Sequence, residues 1–150
     1  MCGLYADLCE KYGIELPPLR EKTIQRLRSL LPDFANPDNP LDVTGSGFLN
    51  GMNEIVLSMV EDENLDFIVP MCIPPQDKDD FFSPIINNSF MPLIDTVKKP
   101  IVPITFREMT DCAREYFKDK DFYYMENPDL GLKAVAHLID YAEFLRRFSE

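Results

Sequence analysis

The segment Phe67-Ile68-Val69-Pro70-Met71-Cys72-Ile73 decides the fold of this 150-residue chain, because it is apolar and lacks the alternation of a half-exposed strand. A run of this length and pattern is typical of a β-strand that is covered on both faces. Pro74 and Pro75 close the run, and a second one of the same kind follows at Ile101-Val102-Pro103-Ile104-Thr105. The two runs predict neighbouring strands of a buried parallel sheet.

Helical periodicity fills most of the chain around these two runs. Apolar residues recur three and four positions apart, and a glycine, a proline or a capping side chain stands at most segment ends. The predicted helices cover 1–12, 19–31, 48–60, 79–98 and 110–118, followed by a long terminal segment. Gly13 ends the first helix, Ser46 or Gly47 caps the third, and Asn127 opens the terminal one. The helix over 79–98 is predicted to be capped by Asp79 or Asp80 and to be kinked or split at Pro92. Short strands are also predicted at 14–16 and 122–125.

This alternation of strands and helices predicts parallel pairing, right-handed crossovers and a doubly wound sheet. A chain of this class normally begins with a strand, whereas here a helix comes first. Ligands of such sheets bind at the carboxyl ends of the strands, in loops that lead into helices. The chain start, the 39–47 loop and the 73–80 loop are therefore the candidate sites.

The composition limits the partners of the chain. With 150 residues, 45% of them hydrophobic, it is predicted to form one domain. Fifteen Lys and Arg against 26 Asp and Glu give a formal charge of -11, which disfavours nucleic acid and anionic membranes. The sequence shows neither a signal-peptide pattern nor an apolar run of the roughly 18 residues that a membrane span needs, which predicts a cytoplasmic location.

The cysteines and the histidine suggest no metal site and no strong catalytic one. Cys2, Cys9, Cys72 and Cys112 include no C-x-x-C pair, so reduced structural thiols are predicted and no metal ligand is assigned. Cys2 stands at a helix start, where the helix dipole should lower the pKa of its thiol, but no base is near it in sequence. His137 lies in mid-helix among apolar residues, which favours a structural or solvent-facing role.

The 39–47 loop, Asn39-Pro40-Leu41-Asp42-Val43-Thr44-Gly45-Ser46-Gly47, is a polar connection between two helical segments. Asp42 and Thr44 supply acceptors for local backbone donors, and Gly45 and Gly47 let backbone N–H groups approach an anion at a helix start. An ordinary N-cap connection stays open as the alternative, since Asn, Asp and Gly are common in turns. The 73–80 loop is a poorer anion site because its prolines have no N–H.

Seven segments form an ordered set: Gly3-Leu4-Tyr5-Ala6-Asp7-Leu8, Tyr12-Gly13-Ile14-Glu15-Leu16-Pro17, Leu30-Leu31-Pro32, Asn39-Pro40-Leu41-Asp42-Val43-Thr44-Gly45, Asp66-Phe67-Ile68-Val69, Lys99-Pro100-Ile101-Val102 and Asn127-Pro128-Asp129. This set resembles the C-terminal flavodoxin-like (ligase-CoA) domain of the NDP-forming acyl-CoA synthetases, in the succinyl-CoA synthetase superfamily. The resemblance covers nearly the whole chain.

The resemblance implies that residues 1–150 are a single three-layer flavodoxin-like domain of a larger enzyme. The implied reaction forms an acyl-CoA from acid, CoA and a nucleoside triphosphate through acyl-phosphate and phosphohistidine intermediates. A CoA-binding domain, a phosphohistidine domain and an ATP-grasp domain or subunit would be its partners. The parent enzyme would use CoA, NTP and Mg, whereas no cofactor is assigned to this domain and no ligase activity is expected of the chain alone.

In that family a helix N-terminus of this domain faces the phosphohistidine, and by position this helix is the one at the chain start. The implied ligand-facing residues are Met1, Cys2, Gly3, Asn39, Asp42, Thr44 and Gly45. No catalytic residue and no metal ligand is assigned. Glycines that succinyl-CoA synthetases carry in the loop at 73–75 are replaced here, which argues against the same contacts to the acid.

The first strand of that family and its glycine-rich turn are missing from the sequence. Their absence predicts unpaired edges in the middle of the sheet, and with them marginal stability, self-association into a homo-oligomer or a rearranged strand order. The alternative function is a stand-alone ligand-sensing, receiver-like or noncatalytic interaction module. Thr105 fits one role in a receiver, but an acidic first strand and a lysine in the 122–125 strand are missing.

Overall fold

A computed structural model describes residues 2–49, 51–77, 80–94, 96–105, 107–120 and 123–148. Helices dominate the chain, and two short strands interrupt them. The elements are α1 Cys2–Tyr12, α2 Glu21–Leu30, α3 Thr44–Leu49, α4 Met52–Val60, β1 Met71–Cys72, α5 Ser83–Ile85, a π-helical turn Ile86–Phe90, α6 Met91–Ile94, β2 Ile104–Thr105, α7 Asp111–Asp119 and α8 Pro128–Arg147. The α/β class predicted from the sequence is confirmed.

Three helix boundaries follow from local chemistry; the roles of Gly13 and Asn127 were predicted, whereas Thr110 was placed inside its helix and not at the cap. Gly13 ends α1 with a φ of 68°, a left-handed conformation that glycine adopts without steric cost. Thr110 Oγ1 accepts from the N–H of Ala113 at 3.1 Å and caps α7. Asn127 Oδ1 accepts from the N–H of Asp129 at 2.9 Å and caps α8. Each cap satisfies a helix-end group that would otherwise lack a partner.

The helix predicted over 48–60 is broken into α3 and α4, which corrects the sequence prediction. Gly51 separates them with a φ of 104°, a left-handed conformation outside the helical region. In addition, α3 begins at Thr44, ahead of the predicted caps Ser46 and Gly47. The periodicity of the apolar residues continues through the break, so the sequence pattern did not indicate that the helix is interrupted.

The helical segment predicted over 79–98 is shorter than expected and is not split within the described residues. It runs without a gap through α5, the π-helical turn and α6, from Ser83 to Ile94. Pro92 lies inside α6, just after the π-helical turn, and has no N–H for a bond to the preceding turn. Asp80 precedes α5 and accepts from the N–H of Phe82 at 2.8 Å, whereas Asp79 lies outside the described residues.

The two apolar runs pair in parallel. The register places Met71 of β1 opposite Ile104 of β2, and an isolated bridge joins Ile68 to Ile101. On the other side of β2, Ile104 forms a parallel bridge to Met125. The order within the described residues is therefore β1, β2 and the Met125 segment. The regular strands are shorter than the predicted runs, because prolines inside both runs cannot donate ladder bonds.

The strand predicted at 14–16 is not formed, which corrects the sequence prediction. No residue of this segment belongs to a described strand, and the N–H of Ile14 donates to the carbonyl of Cys9 at 2.9 Å. A strand needs a neighbour that completes its ladder, and no described strand supplies one. At the last predicted strand, the N–H of Met125 donates to Pro103 O at 2.9 Å, whereas residue 122 lies outside the described residues.

Alternate side chains along the first apolar run pack into different apolar clusters. Ile68 and Cys72 belong to the larger cluster, which includes residues of α2, α4 and α7. Val69 and Met71 pack against the smaller cluster, which contains residues of α1 and α8 together with Ile104. Both faces of the run are therefore covered, as its lack of alternation predicted.

Asp62 is buried beside the larger cluster and forms hydrogen bonds with three separate segments of the chain. Asp62 is 1% exposed, and its carboxylate accepts from the N–H groups of Arg20 at 2.9 Å and Asn64 at 2.8 Å. The Lys99 ammonium donates to the carbonyl oxygen of Asp62. Burial alone would raise the pKa of Asp62, but hydrogen bonds from Thr23, Arg20 and Asn64 and the charge of Lys99 together hold that pKa below its usual range.

The terminal helix α8 packs against α1 through its first half. Leu132 and Val135 are 1% and 3% exposed and anchor that contact. His137 is exposed, in agreement with a solvent-facing role. Among the described helices, none is long and apolar enough to cross a membrane.

Candidate functional site

Asp42 of the 39–47 loop interacts electrostatically with Cys2 at the start of α1. Burial raises the pKa of the Cys2 thiol, and the negative charge of Asp42 raises it further. These two effects outweigh the lowering expected at a helix start, so that sequence prediction is wrong. Cys2 therefore carries a neutral thiol at neutral pH, which makes it a poor nucleophile.

Three polar side chains of the 39–47 loop make local hydrogen bonds. Asn39 Nδ2 donates to Pro17 O at 3.1 Å, and Asp42 Oδ1 accepts from the N–H of Thr44 at 2.9 Å. Thr44 Oγ1 lies 3.2 Å from Ser46 Oγ, and either hydroxyl can donate. These bonds are those expected of an N-cap connection, and they also hold the loop in one shape at the start of α3.

The two glycines of the loop serve different purposes. A Cβ on Gly47 would lie 2.9 Å from Leu31 Cδ2 and 3.2 Å from Ile55 Cδ1, so Gly47 allows close packing. A Cβ on Gly45 would meet nothing within 4 Å, so Gly45 keeps an exposed surface open. Only Gly45 is thus available for the approach of an external group, whereas the sequence suggested both.

Thr44 adopts a φ of 56°, which is unusual for a β-branched residue. Such conformations cost on the order of 1 to 3 kcal/mol and are concentrated at functional sites. The strained residue begins α3 and lies between Asp42 and Gly45 of the predicted site.

The structure links only some of the predicted ligand-facing residues to the start of α1. Gly3 is exposed, and a Cβ there would meet nothing within 4 Å. Asp42 interacts electrostatically with Cys2 across the gap between loop and helix. Asn39 instead directs its amide toward Pro17, and Met1 lies outside the described residues.

The 73–80 loop is closed by its own hydrogen bonds. Pro74 and Pro75 are fully buried. Asp80 accepts from the N–H of Gln76 at 2.9 Å, and Gln76 Nε2 donates to Pro74 O at 3.3 Å. The described part of this loop thus forms a fixed apolar wall rather than a row of free N–H donors, in line with the sequence analysis.

An aromatic platform joins the elements that follow these two loops, and the sequence analysis missed it. Phe48 of α3 contacts Phe82 edge-on, with ring centroids 5.8 Å apart, and Phe82 contacts Phe81 in the same way at 5.5 Å. Phe81 is 62% exposed and Leu49 is 56% exposed. We define the platform as Phe48, Leu49, Phe81 and Phe82. The adjacent pair at 81–82, directly after a capping aspartate, was the only signal of it in the sequence.

The described residues hold no group of three or more His, Cys, Asp and Glu side chains that could bind a metal ion. Thr105, which the receiver alternative would use, is completely buried, and its Oγ1 donates to Arg107 O at 3.3 Å. A buried hydroxyl with a backbone partner does not present itself to a phosphate donor, which weakens that alternative.

This chain has similar counterparts among known proteins. The alpha subunit of acetate–CoA ligase [ADP-forming] II from Pyrococcus furiosus is 36% identical over 72 residues, which are 48% of this chain and 16% of the relative. Acetate–CoA ligase [ADP-forming] I from Archaeoglobus fulgidus is 30% identical over 74 residues, 49% of this chain and 11% of the relative.

Two further matches extend over nearly the whole chain. A trans-feruloyl-CoA synthase from an unknown prokaryotic organism is 26% identical over 145 residues, 92% of this chain and 20% of the relative. The crystal structure of PH0766 from Pyrococcus horikoshii OT3 superposes with a TM-score of 0.78 at 25% identity over 95% of this chain and 33% of that one. No protein-family model matches the chain.

These matches identify the chain as a relative of one domain of the NDP-forming acyl-CoA synthetases, as the sequence resemblance indicated. The chain spans between about a tenth and a fifth of the length of the curated relatives described above.

Proposed function

We propose that this chain is the flavodoxin-like domain of an NDP-forming acyl-CoA synthetase, which converts acid, CoA and a nucleoside triphosphate to acyl-CoA, nucleoside diphosphate and phosphate through a phosphohistidine. The similarity of 92% of the chain to a trans-feruloyl-CoA synthase carries the proposal. The names of the relatives support the ligase class.

Residues 1–150 form, in this proposal, one three-layer domain of a larger protein, with a sheet that lacks its first strand. One observation supports the layers: the two apolar clusters take up alternate side chains of the first apolar run.

The α1 N-terminus would stabilise the phosphate of a phosphohistidine brought by another domain. The first N–H groups of an α-helix have no partner within the helix, and the dipole adds positive potential there. Gly3 leaves room for an approaching phosphate, since it is exposed and without side-chain neighbours. His137 is exposed on α8, and in this proposal the phosphorylated histidine comes from a partner domain instead.

The aromatic platform would contact the apolar part of the acyl group. It combines the exposed Phe81 and Leu49 with Phe48 and Phe82, which follow the two candidate loops. Aromatic faces suit an aromatic or apolar acid better than a dicarboxylate. The relative that matches 92% of the chain is a trans-feruloyl-CoA synthase by name, which supports an aromatic acid as the first choice to test.

The proposed partners are a CoA-binding domain, a phosphohistidine domain and an ATP-grasp domain or subunit, which would bind CoA, the nucleotide and Mg. In this proposal the domain surrounds the transferred phosphoryl group, and no cofactor is assigned to it. Purified alone, it is expected to show no acyl-CoA ligase activity.

A domain exchange tests the proposal. Residues 1–150 replace the matching segment in the alpha subunit of the Pyrococcus furiosus ligase, and acid-dependent formation of acyl-CoA is measured with acetate and with trans-ferulate. We expect Gly3→Asp to lower turnover by about tenfold or more, because a carboxylate at the helix start repels phosphate.

The matched control is Gly3→Asn, which has nearly the same shape without the charge and should retain most of the turnover. Equal losses in both variants would contradict the phosphate-facing role. An exchanged enzyme that becomes phosphorylated but shows no dependence on position 3 would contradict it as well.

A further inference from the structure

The second half of α8 is exposed all around the helix. Up to Ile139, α8 packs against the smaller apolar cluster. Every residue from 140 to 148 is exposed, although the helix continues to Arg147. Short helical segments are only marginally stable in water by themselves, and most helices gain their stability by packing an apolar face. We call residues 138–148 the α8 arm.

The α8 arm carries an apolar stripe along one side. Its side chains are between 45% and 75% exposed and belong to Leu138, Tyr141, Phe144, Leu145 and Phe148. Positions 138, 141, 145 and 148 have the three-and-four spacing of the seam between two packed helices. The rings of Phe144 and Phe148 contact each other, with centroids 4.6 Å apart, and widen the stripe on one flank. A contiguous exposed stripe of this kind marks an interaction surface.

The charges of the α8 arm balance, unlike those of the whole chain. Asp140 and Glu143 are acidic, whereas Arg146 and Arg147 are basic, so the formal charge of -11 resides outside the arm. Asp140 and Arg147 lie on the same flank of the stripe, because seven positions are close to two helical turns. Arg147 Nη2 is 3.9 Å from Glu143 Oε2, which is longer than a strong charge-assisted hydrogen bond. The Arg147 guanidinium can therefore bind a second carboxylate.

We propose that the α8 arm binds the α8 arm of a second copy of this chain, with the two helices antiparallel and a twofold axis at the level of residue 143. Positions equally far from 143 on opposite sides then lie at one level. Leu138 meets Phe148 of the second copy, and Tyr141 meets its Leu145. Each contact occurs twice, as a twofold interface requires.

Charge complementarity favours this arrangement and this occupant. In an antiparallel pair each flank faces the same flank of the other helix, so Asp140 lies beside Arg147 of the second copy, within about 1.5 Å of its level. A parallel pair would instead bring like charges to the same level. It would also bring both domains to one end, since α8 packs on α1 through its first half. A stripe that matches itself in both apolar and charged positions fits a second copy.

The size of the stripe limits the strength of the dimer. Stable interfaces of standard size bury about 800 Å² on each partner, and one stripe of five side chains offers less than that. The formal charge of -11 on each copy also opposes association, although the arm itself is balanced. The dimer is therefore weak and reversible, with a dissociation constant on the order of 10 to 100 μM.

Sedimentation equilibrium of the full chain, from about 1 to about 500 μM, tests the proposal. We expect a monomer–dimer equilibrium for the wild type. Leu138→Glu introduces two carboxylates into the seam and should raise the dissociation constant by about tenfold or more. The matched control is Phe34→Glu, because Phe34 is 82% exposed and lies outside α8. It makes the same change of charge at an exposed apolar position and should leave the dissociation constant unchanged.

A charge exchange tests the direction of the two helices. Asp140→Arg and Arg147→Asp each place like charges opposite one another in their own dimers, and each should raise the dissociation constant by about fivefold. A mixture of the two variants restores both opposite-charge pairs, since Arg at 140 faces Asp at 147 and the native pair remains on the other side of the axis. The mixed dimer should therefore bind about as tightly as the wild type.

Three results would overturn the inference. A wild-type chain that stays monomeric up to about 500 μM excludes a second copy and leaves a helix of another polypeptide as the occupant. A dimer that Leu138→Glu and Phe34→Glu weaken equally lies elsewhere on the surface. A mixture of the charge variants that binds no better than either alone contradicts the antiparallel arrangement. None of these readouts involves phosphate or turnover, so the proposed function can fail or survive independently.

Discussion

Asp62 and Asp42 are carboxylates of similar local chemistry in very different surroundings. Each accepts a hydrogen bond from the backbone N–H two residues further on, at 2.8 Å for Asp62 and 2.9 Å for Asp42. Asp62 is 1% exposed and also holds groups of Arg20, Thr23 and Lys99, whereas Asp42 is exposed and acts on Cys2 through charge. The same local hydrogen bond is therefore part of a buried network at Asp62, whereas at Asp42 it leaves the carboxylate exposed to solvent.

The largest expected effect on stability comes from removing the buried Asp62 carboxylate. Asp62→Ala should lower the free energy of unfolding by about 2 to 3 kcal/mol, because it leaves the buried Thr23 and the partly buried N–H groups of Arg20 and Asn64 without their partner. Asp42→Ala is the control and should cost less than about 1 kcal/mol, since water replaces the carboxylate. Urea unfolding measures both changes, and similar costs for the two would break the distinction drawn between these carboxylates.

The two glycines of the 39–47 loop also contrast a buried position with an exposed one, because a methyl group has no room at Gly47 and free room at Gly45. Gly47→Ala should destabilise the protein by about 1 to 3 kcal/mol, because the new methyl group lies too close to Leu31 and Ile55. Gly45→Ala meets no atom within 4 Å and, being in a helix, should be neutral or stabilising by up to about 1 kcal/mol. Thermal unfolding distinguishes the two, and a cost at Gly45 equal to that at Gly47 would contradict the open surface.

Relief of strain at the start of α3 gives a smaller effect. Thr44→Asn should stabilise the fold by up to about 1 kcal/mol, since Asn tolerates a φ of 56° better than a β-branched residue. Thr44→Val serves as the comparison, because it keeps the branching and loses the hydroxyl. If Asn destabilises as much as Val does, then the hydroxyl contact to Ser46, and not the backbone strain, dominates at this position.

The smallest effect is a dependence of stability on pH. The pKa of Asp62 is lowered in the folded chain, so its contribution is fully present above the unfolded pKa and is lost as pH falls through the folded pKa. Stability of the wild type should therefore fall in the acid range below about pH 4, whereas Asp62→Asn should show a shallower fall. Urea midpoints measured from pH 6 downward check this, and equal slopes would assign the acid sensitivity to other carboxylates.

Local chemistry made several features of the fold predictable. Gly13, Thr110 and Asn127 act on the nearest turn of backbone, so their helix ends could be read from the sequence. The two buried strands could also be predicted, because their apolar composition reflects cover on both faces. The break at Gly51 could not, since an isolated glycine inside a periodic helix pattern is compatible with an unbroken helix.

Features that depend on distant residues escaped the sequence analysis. The 14–16 segment has the right residues for a strand but no described partner, and pairing is a property of both strands. The pKa of Cys2 was predicted in the wrong direction because it depends on burial, and further on the charge of Asp42 forty positions away, both of which only the tertiary fold brings about. The aromatic platform likewise depends on the meeting of Phe48 with Phe82, which only the tertiary fold brings about.

The short helix α3 has a kinetic consequence. It lies between a strained Thr44 and a left-handed Gly51, and six residues give it few internal hydrogen bonds. Such an element opens at a much lower free energy than global unfolding, so its amides should exchange before those of α4. Phe48 belongs to α3, so its contact with Phe82 breaks and re-forms as α3 opens and closes. The rate of this local opening, and not the rigidity of the sheet, therefore sets how fast the α3 side of the platform forms.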